Sequence, residues 1–130
     1  MDSGIAPRAI VAGHGALPDG LVSAVDQITG RGNALIPFSN TGLGREEIES
    51  GLRDLLALHG VKVVFTDLPG GSATLAARRV LHDTPGLMIV TGVSLAALMD
   101  FVFCAPDMPI EQAVARAVDR ARSAIVSLVV

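Results

Sequence analysis

A histidine between two glycines, Gly13-His14-Gly15, stands directly after the apolar run RAIVA of residues 8–12. An imidazole so placed can serve as a base, a metal ligand or a nucleophile, and the glycines leave its backbone unhindered. The plainer role for His14 is a loop histidine capping the helix that follows. Asp67 shifts the balance, because it ends a second apolar run, VKVVFT at residues 61–66, where an unpaired carboxylate would be costly. It can pair with an imidazole N–H, fixing the tautomer and stabilising a cationic ring. It can also accept backbone N–H groups of its own loop as an Asx turn, and the two roles are compatible. Gly70, Gly71 and Ser72 come next, just before a helical stretch. Glycine-rich turns at helix N-termini present N–H groups to anions. Ser72 either caps that helix or adds a hydroxyl, and a capping serine can also touch a phosphate. An imidazole, a carboxylate and an anion cradle suit a phosphorylated histidine better than any other chemistry these residues can build.

Competing motifs are weaker. GHGALP approaches the dinucleotide fingerprint, but Pro18 stands at the third glycine and no acidic residue ends the second strand. Gly92-Val93-Ser94-Leu95-Ala96 imitates a hydrolase nucleophile elbow. In that family the histidine follows the nucleophile, whereas His14, His59 and His82 all precede Ser94 here. No Walker A sequence occurs, and scattered histidines with a single cysteine argue against a metal site. His59 and His82 fall where two helices should end, favoured there by the helix dipole, and Cys104 is most simply a core residue.

The elements that must position these loops alternate strand with helix. Strands are expected at residues 8–12, 34–38, 61–66 and 87–91. Helices are expected at 18–28, 45–58, 73–82 and 94–103, and a fifth after APDMP with Asp107 as N-cap and Pro109 in its first turn. Gly30 and Gly60 suit helix C-termini, and Glu46, Glu47 and Glu49 suit the start of the second helix. Ile110, Ala113, Val114, Ala117, Val118 and Ala121 share one face of the fifth. The terminal AIVSLVV has strand composition. Such alternation means an α/β fold, a mainly parallel four-stranded sheet with helices on both faces. Ligands of such sheets bind beyond the carboxyl ends of the strands, where the loops at Gly13, Asp67 and Gly92 all project.

Composition agrees. The 130 residues are 50% hydrophobic and 18% charged, with a net charge of −3, as strands buried on both faces require. One domain over residues 1–130 is expected at this length, with about two-thirds of the unfolded surface buried. The single cysteine excludes an internal disulfide framework. Mild acidity argues against nucleic acid as a partner. The oiliest stretch, residues 87–105, is long enough to span a membrane, but Gly92 and Ser94 interrupt it and Asp100 would be a lone charge inside it. The N-terminal MDSGIAPR lacks the features of a signal peptide, so a reducing cytoplasmic compartment is expected. The very apolar C-terminus needs a cover, for which a second subunit is suited.

These same residues carry a resemblance. Residues 9–15 (AIVAGHG), 63–73 (VVFTDLPGGSA) and 90–95 (VTGVSL) resemble, in order and spacing, the IIA domain of the mannose/fructose/sorbose/N-acetylgalactosamine family of the bacterial sugar phosphotransferase system. The match covers about residues 8–103. The resemblance implies a three-layer sandwich and a phosphotransferase in which His14 takes a phosphoryl group on Nε2 from the phosphocarrier HPr. His14 would pass it to a IIB domain, which serves sugar uptake through the membrane components IIC and IID. It further implies that Asp67 orients the ring through Nδ1, and that the Gly71 and Ser72 N–H groups with the Ser72 hydroxyl hold the phosphoryl oxygens. It implies neither metal nor other cofactor, and a homodimer exchanging a C-terminal strand. Departures stand at Ala73, Leu75 and Ser94, where the family usually has proline, asparagine and asparagine. They leave the His–Asp pair intact and allow an alternative, a regulatory phosphohistidine module that feeds no transporter.

Overall fold

The computed structural model describes residues 6–129. Most of MDSGIAPR and the last valine of AIVSLVV therefore lie outside the described residues. Four parallel strands, β1 (Ala9–Gly13), β2 (Leu35–Ser39), β3 (Val63–Thr66) and β4 (Met88–Val90), form one sheet in the order β2-β1-β3-β4. Five helices connect and cover them: α1 (Leu17–Thr29), α2 (Arg45–His59), α3 (Ser72–His82), α4 (Leu95–Phe103) and α5 (Ile110–Ala124). Every expected strand and helix up to α5 is present, with ends displaced by a residue or two.

Alternation along the central strands makes the two faces. Ala9 and Val11 of β1 and Val63 and Phe65 of β3 pack with α1, α4 and α5 through Val25, Leu98, Phe101, Ala113 and Ala117. Ile10, Ala12 and Val64 face the other way, onto Ile48 and Leu52 of α2 and Ala76, Ala77 and Val80 of α3. Both faces of the sheet are covered, as the oily composition requires. Phe65 and Phe101 meet edge to face at 5.2 Å, an arrangement worth about 1 kcal/mol beyond burial.

The oily stretch of residues 87–105 is divided between β4, a loop and α4. Among the described residues no helix is long and apolar enough to cross a membrane. The charge inside that stretch is accounted for as well, since Asp100 lies on α4 and pairs with Arg116 of α5 at 3.1 Å. Glycines end α1 and α2 as expected, with Gly30 and Gly60 in the left-handed conformation (φ 71° and 67°).

One local expectation is corrected. Asp107 does not cap α5; the cap position is Pro109, whose extended backbone (φ −53°, ψ 135°) precedes Ile110. The strand composition of AIVSLVV finds no partner strand among the described residues. Ala124 ends α5, and residues 125–129 join no strand. Ile125 and Leu128 there are 84% and 89% exposed. Strand composition alone cannot satisfy backbone groups; a neighbouring edge must supply the partners.

Register sets the site. Gly13 pairs with Ser39, and Ala12 pairs with Thr66. The next residue on each strand, His14, Asn40 and Asp67, therefore leaves the same carboxyl edge side by side. β2 lies on one side of β1 and β3 on the other, so His14 and Asp67 flank the switch point where such sheets bind ligands.

Candidate active site

His14 and Asp67, 53 positions apart in the chain, are in contact. Asp67 Oδ2 lies 2.7 Å from His14 Nδ1 and also accepts the His14 backbone N–H at 2.9 Å. The same carboxylate oxygen thus fixes both the ring and the chain that bears it. The Asp67 side chain is 8% exposed and that of His14 is 54% exposed, so the acid is a buried support beneath an accessible ring. Burial pushes the Asp67 carboxyl up, but hydrogen bonds from the His14 ring and backbone outweigh it. The carboxyl is held below the usual carboxylate range. With Nδ1–H donating to a carboxylate, the lone pair sits on Nε2. The ring does not cap α1; its own backbone carbonyl closes that turn by accepting the Leu17 N–H at 3.1 Å.

The glycines around the pair have distinct reasons. A Cβ on Gly13 would fall 2.8 Å from Asp67 Cγ and Oδ2, so the carboxylate occupies the space of the missing side chain. A Cβ on Gly71 would fall 3.3 Å from His14 Cε1, so the ring leans on the turn before α3. Gly15 has φ 56°, a left-handed backbone that favours glycine.

The turn from Asp67 to α3 is held from inside. The Thr74 hydroxyl donates to the Leu68 carbonyl and lies 2.6 Å from the buried Thr66 hydroxyl. Gly71 is the N-cap residue of α3 and donates its own N–H to the Leu68 carbonyl at 3.2 Å. Of the two N–H groups expected to face an anion, that of Gly71 is thus engaged within the turn. That of Ser72 opens the helix, ahead of the Leu75 N–H, which donates to the Gly71 carbonyl. Ser72 does not cap α3. It is the first helical residue, and its Oγ accepts from Asn40 Nδ2 at 2.8 Å.

The third expected loop contributes differently. Val93 donates its N–H to the Thr66 carbonyl at 2.9 Å, which ties that loop to the end of β3. The Ser94 hydroxyl accepts the Ala97 N–H at 3.2 Å and caps α4, a structural role. His59 and His82 lie in the last turns of α2 and α3. Cys104 is buried beyond α4, its thiol donating to the Asp100 carbonyl at 3.5 Å.

A loop not weighed in the sequence completes the site. Ser39 ends β2, and residues 40–41 follow it at the same edge. Asn40 donates its backbone N–H to the Gly13 carbonyl at 2.9 Å, and the Ser39 hydroxyl donates to the Gly15 carbonyl at 2.8 Å. The signal was present, because SNTGLG leaves a strand at the carboxyl edge like the other three loops. Its polar residues imitate ordinary turn chemistry and hid it.

Comparison with known proteins bears on the family and the fold. The family model of the fructose IIA component of the phosphotransferase system matches residues 8–118. Among solved structures, the mannose/sorbose-specific IIA subunit of the phosphotransferase system from Enterococcus faecalis superposes with a TM-score of 0.82 at 21% identity, covering 97% of each chain. The phosphotransferase system component EIIA from Streptococcus agalactiae gives 0.82 at 21% identity, covering 92% of this chain and 95% of that one. The IIA protein associated with the fucose utilization operon from Streptococcus pneumoniae gives 0.72 at 21% identity, covering 91% and 93%. No curated protein matches significantly.

Proposed function

Since this chain belongs to the family of IIA components of the sugar phosphotransferase system, we propose that it is a single IIA domain whose His14 carries a phosphoryl group from the phosphocarrier HPr to a IIB domain. The observation that carries the reading is the 2.7 Å contact of His14 Nδ1 with Asp67, which leaves Nε2 as the nucleophile on a half-exposed ring. In the transfer, the Nε2 lone pair attacks phosphorus. The bond from phosphorus to the donor atom breaks, and its electron pair stays with the donor. Nδ1 keeps its proton, so the phosphorylated ring is cationic, and the adjacent Asp67 carboxylate offsets that charge. The Ser72 N–H and hydroxyl receive phosphoryl oxygens at the start of α3, where the dipole favours anions. Gly71 contributes by leaving room for the ring. In the second transfer an acceptor on IIB attacks the same phosphorus and Nε2 recovers its lone pair. Such chemistry is mostly positioning and charge stabilisation.

The reading puts the chain in the cytoplasm beside membrane components that move the sugar. It also proposes a homodimer in which residues 125–130 of each copy cover the other. Exposed Ile125, Val126, Leu128 and Val129 and an open outer edge of β4 support this. The alternative, a regulatory phosphohistidine module, is favoured by the departures at Ala73, Leu75 and Ser94, and differs only in lacking onward transfer.

The test is incubation with the general phosphotransferase proteins and phosphoenolpyruvate. Acid-labile label is expected on the chain and absent from His14→Ala; label surviving that substitution overturns the assignment. Labelling without discharge to any IIB domain encoded nearby selects the regulatory module.

A further inference from the structure

The loop after β2 touches both halves of the site. Asn40 binds the Gly13 carbonyl through its backbone N–H and Ser72 Oγ through its side-chain Nδ2–H, at 2.9 and 2.8 Å. A serine hydroxyl has one proton and two acceptor lone pairs, so the amide of Asn40 fills an acceptor position and leaves the proton to be placed. The usual internal acceptor for a hydroxyl on a helix is the carbonyl four residues back. For Ser72 that is Leu68, which already accepts from the Thr74 hydroxyl and the Gly71 N–H. With that acceptor taken, the Ser72 proton is open to an arriving group at the turn on which His14 leans.

We propose that Asn40 is a positioning residue for phosphoryl transfer: by donating to Ser72 Oγ it commits the Ser72 hydroxyl to donate to a phosphoryl oxygen. Its backbone bond to Gly13 holds the His14 loop at the matching distance. The proposal rests on the reading of His14 as the phosphorylated group. It places an assignment on a residue outside the His–Asp pair and outside the turn before α3.

The experiment is single-turnover labelling of the full chain by the phosphorylated carrier protein, with thermal melts of every variant. Asn40→Ala keeps the backbone bond and should slow labelling about fivefold, the size of one net hydrogen bond. Asn40→Asp should slow it more, since a carboxylate takes the Ser72 proton and sets a negative charge beside an arriving anion. On a Ser72→Ala background, Asn40→Ala should add nothing. A purely structural role for the loop would slow both backgrounds by the same factor, and that result overturns the proposal. Labelling by Asn40→Asp at the wild-type rate also overturns it, because Asn40 would then be an acceptor or idle. Should Asn40→Ala not fold, the isosteric Asn40→Asp decides the matter. An unlabelled wild type, or a labelled His14→Ala, defeats the phosphoryl-transfer reading first and this proposal with it. A labelled wild type with insensitive Asn40 variants defeats this proposal alone.

Discussion

Gly13→Ala should disable the site without touching a reactive atom. The new Cβ would lie 2.8 Å from Asp67 Cγ and Oδ2 and 3.2 Å from Asp67 Cβ. That is about 0.7 Å short of ordinary carbon contact. Gly13 is fixed in the sheet by its pairing with Ser39, so the carboxylate must give way. Its Oδ2 sits 2.7 Å from His14 Nδ1, and a retreat of that size stretches the bond to about 3.4 Å, beyond the normal range. Overpacking of this kind costs about 2 kcal/mol, or about 8 °C in melting temperature for a chain of this size. Misplacing the ring by a fraction of an ångström should slow transfer by about ten- to a hundredfold. Quench-flow labelling and calorimetry read the two effects. Gly20→Ala on α1 is the control, because a Cβ there meets nothing within 4 Å, and it should lower neither quantity. Wild-type transfer and melting in Gly13→Ala, or equal losses in the two variants, would refute the reasoning.

Two further outcomes follow from the same geometry. Asp67 ionises below the usual carboxylate value of 3.8, so its contribution to stability is full above that pH and is lost as pH falls through the lower folded value. Urea titrations should therefore show wild type ahead of Asp67→Asn by about 1 kcal/mol at neutral pH, with the gap closing as pH falls below about 4. A gap that does not close in that range would contradict the assignment. Removal of residues 125–130 should convert a dimer to a monomer in sedimentation velocity. An unchanged mass would dismiss the strand exchange.

The fold was legible because two simple signals agreed along most of the chain. Short aliphatic runs with no polar alternation, such as residues 9–12 and 63–65, have the length and the pattern of strands covered on both faces. Between them Leu52 and Leu56, or Ala73, Ala76, Ala77 and Val80, repeat at helical spacing, and glycines stop α1 and α2. The pairing of His14 with Asp67 was legible for a different reason. Each ends a buried strand, and a carboxylate there demands a partner. The C-terminus was legible only as apolar. Residues 125–129 have strand composition, but pairing is a property of two segments, and no edge pairs with them among the described residues.

Ser72 shows where residue-by-residue reading stops. A serine after two glycines at the head of a helix reads as a cap, because the first N–H groups of a helix need acceptors. Here the turn is closed without it. Thr74 reaches back to the Leu68 carbonyl, Thr66 supports Thr74 from within the core, and the Gly71 N–H donates to the same carbonyl. Ser72 itself stands one residue past the cap position, so its hydroxyl accepts instead from Asn40, 32 residues away. No spacing rule connects those two positions; only the parallel register that sets Ser39 beside Gly13 and Thr66 beside Ala12 does. A serine released from capping by a one-residue shift of the helix start is open to a long-range partner. The Asn40 and Ser72 variants measure that release directly.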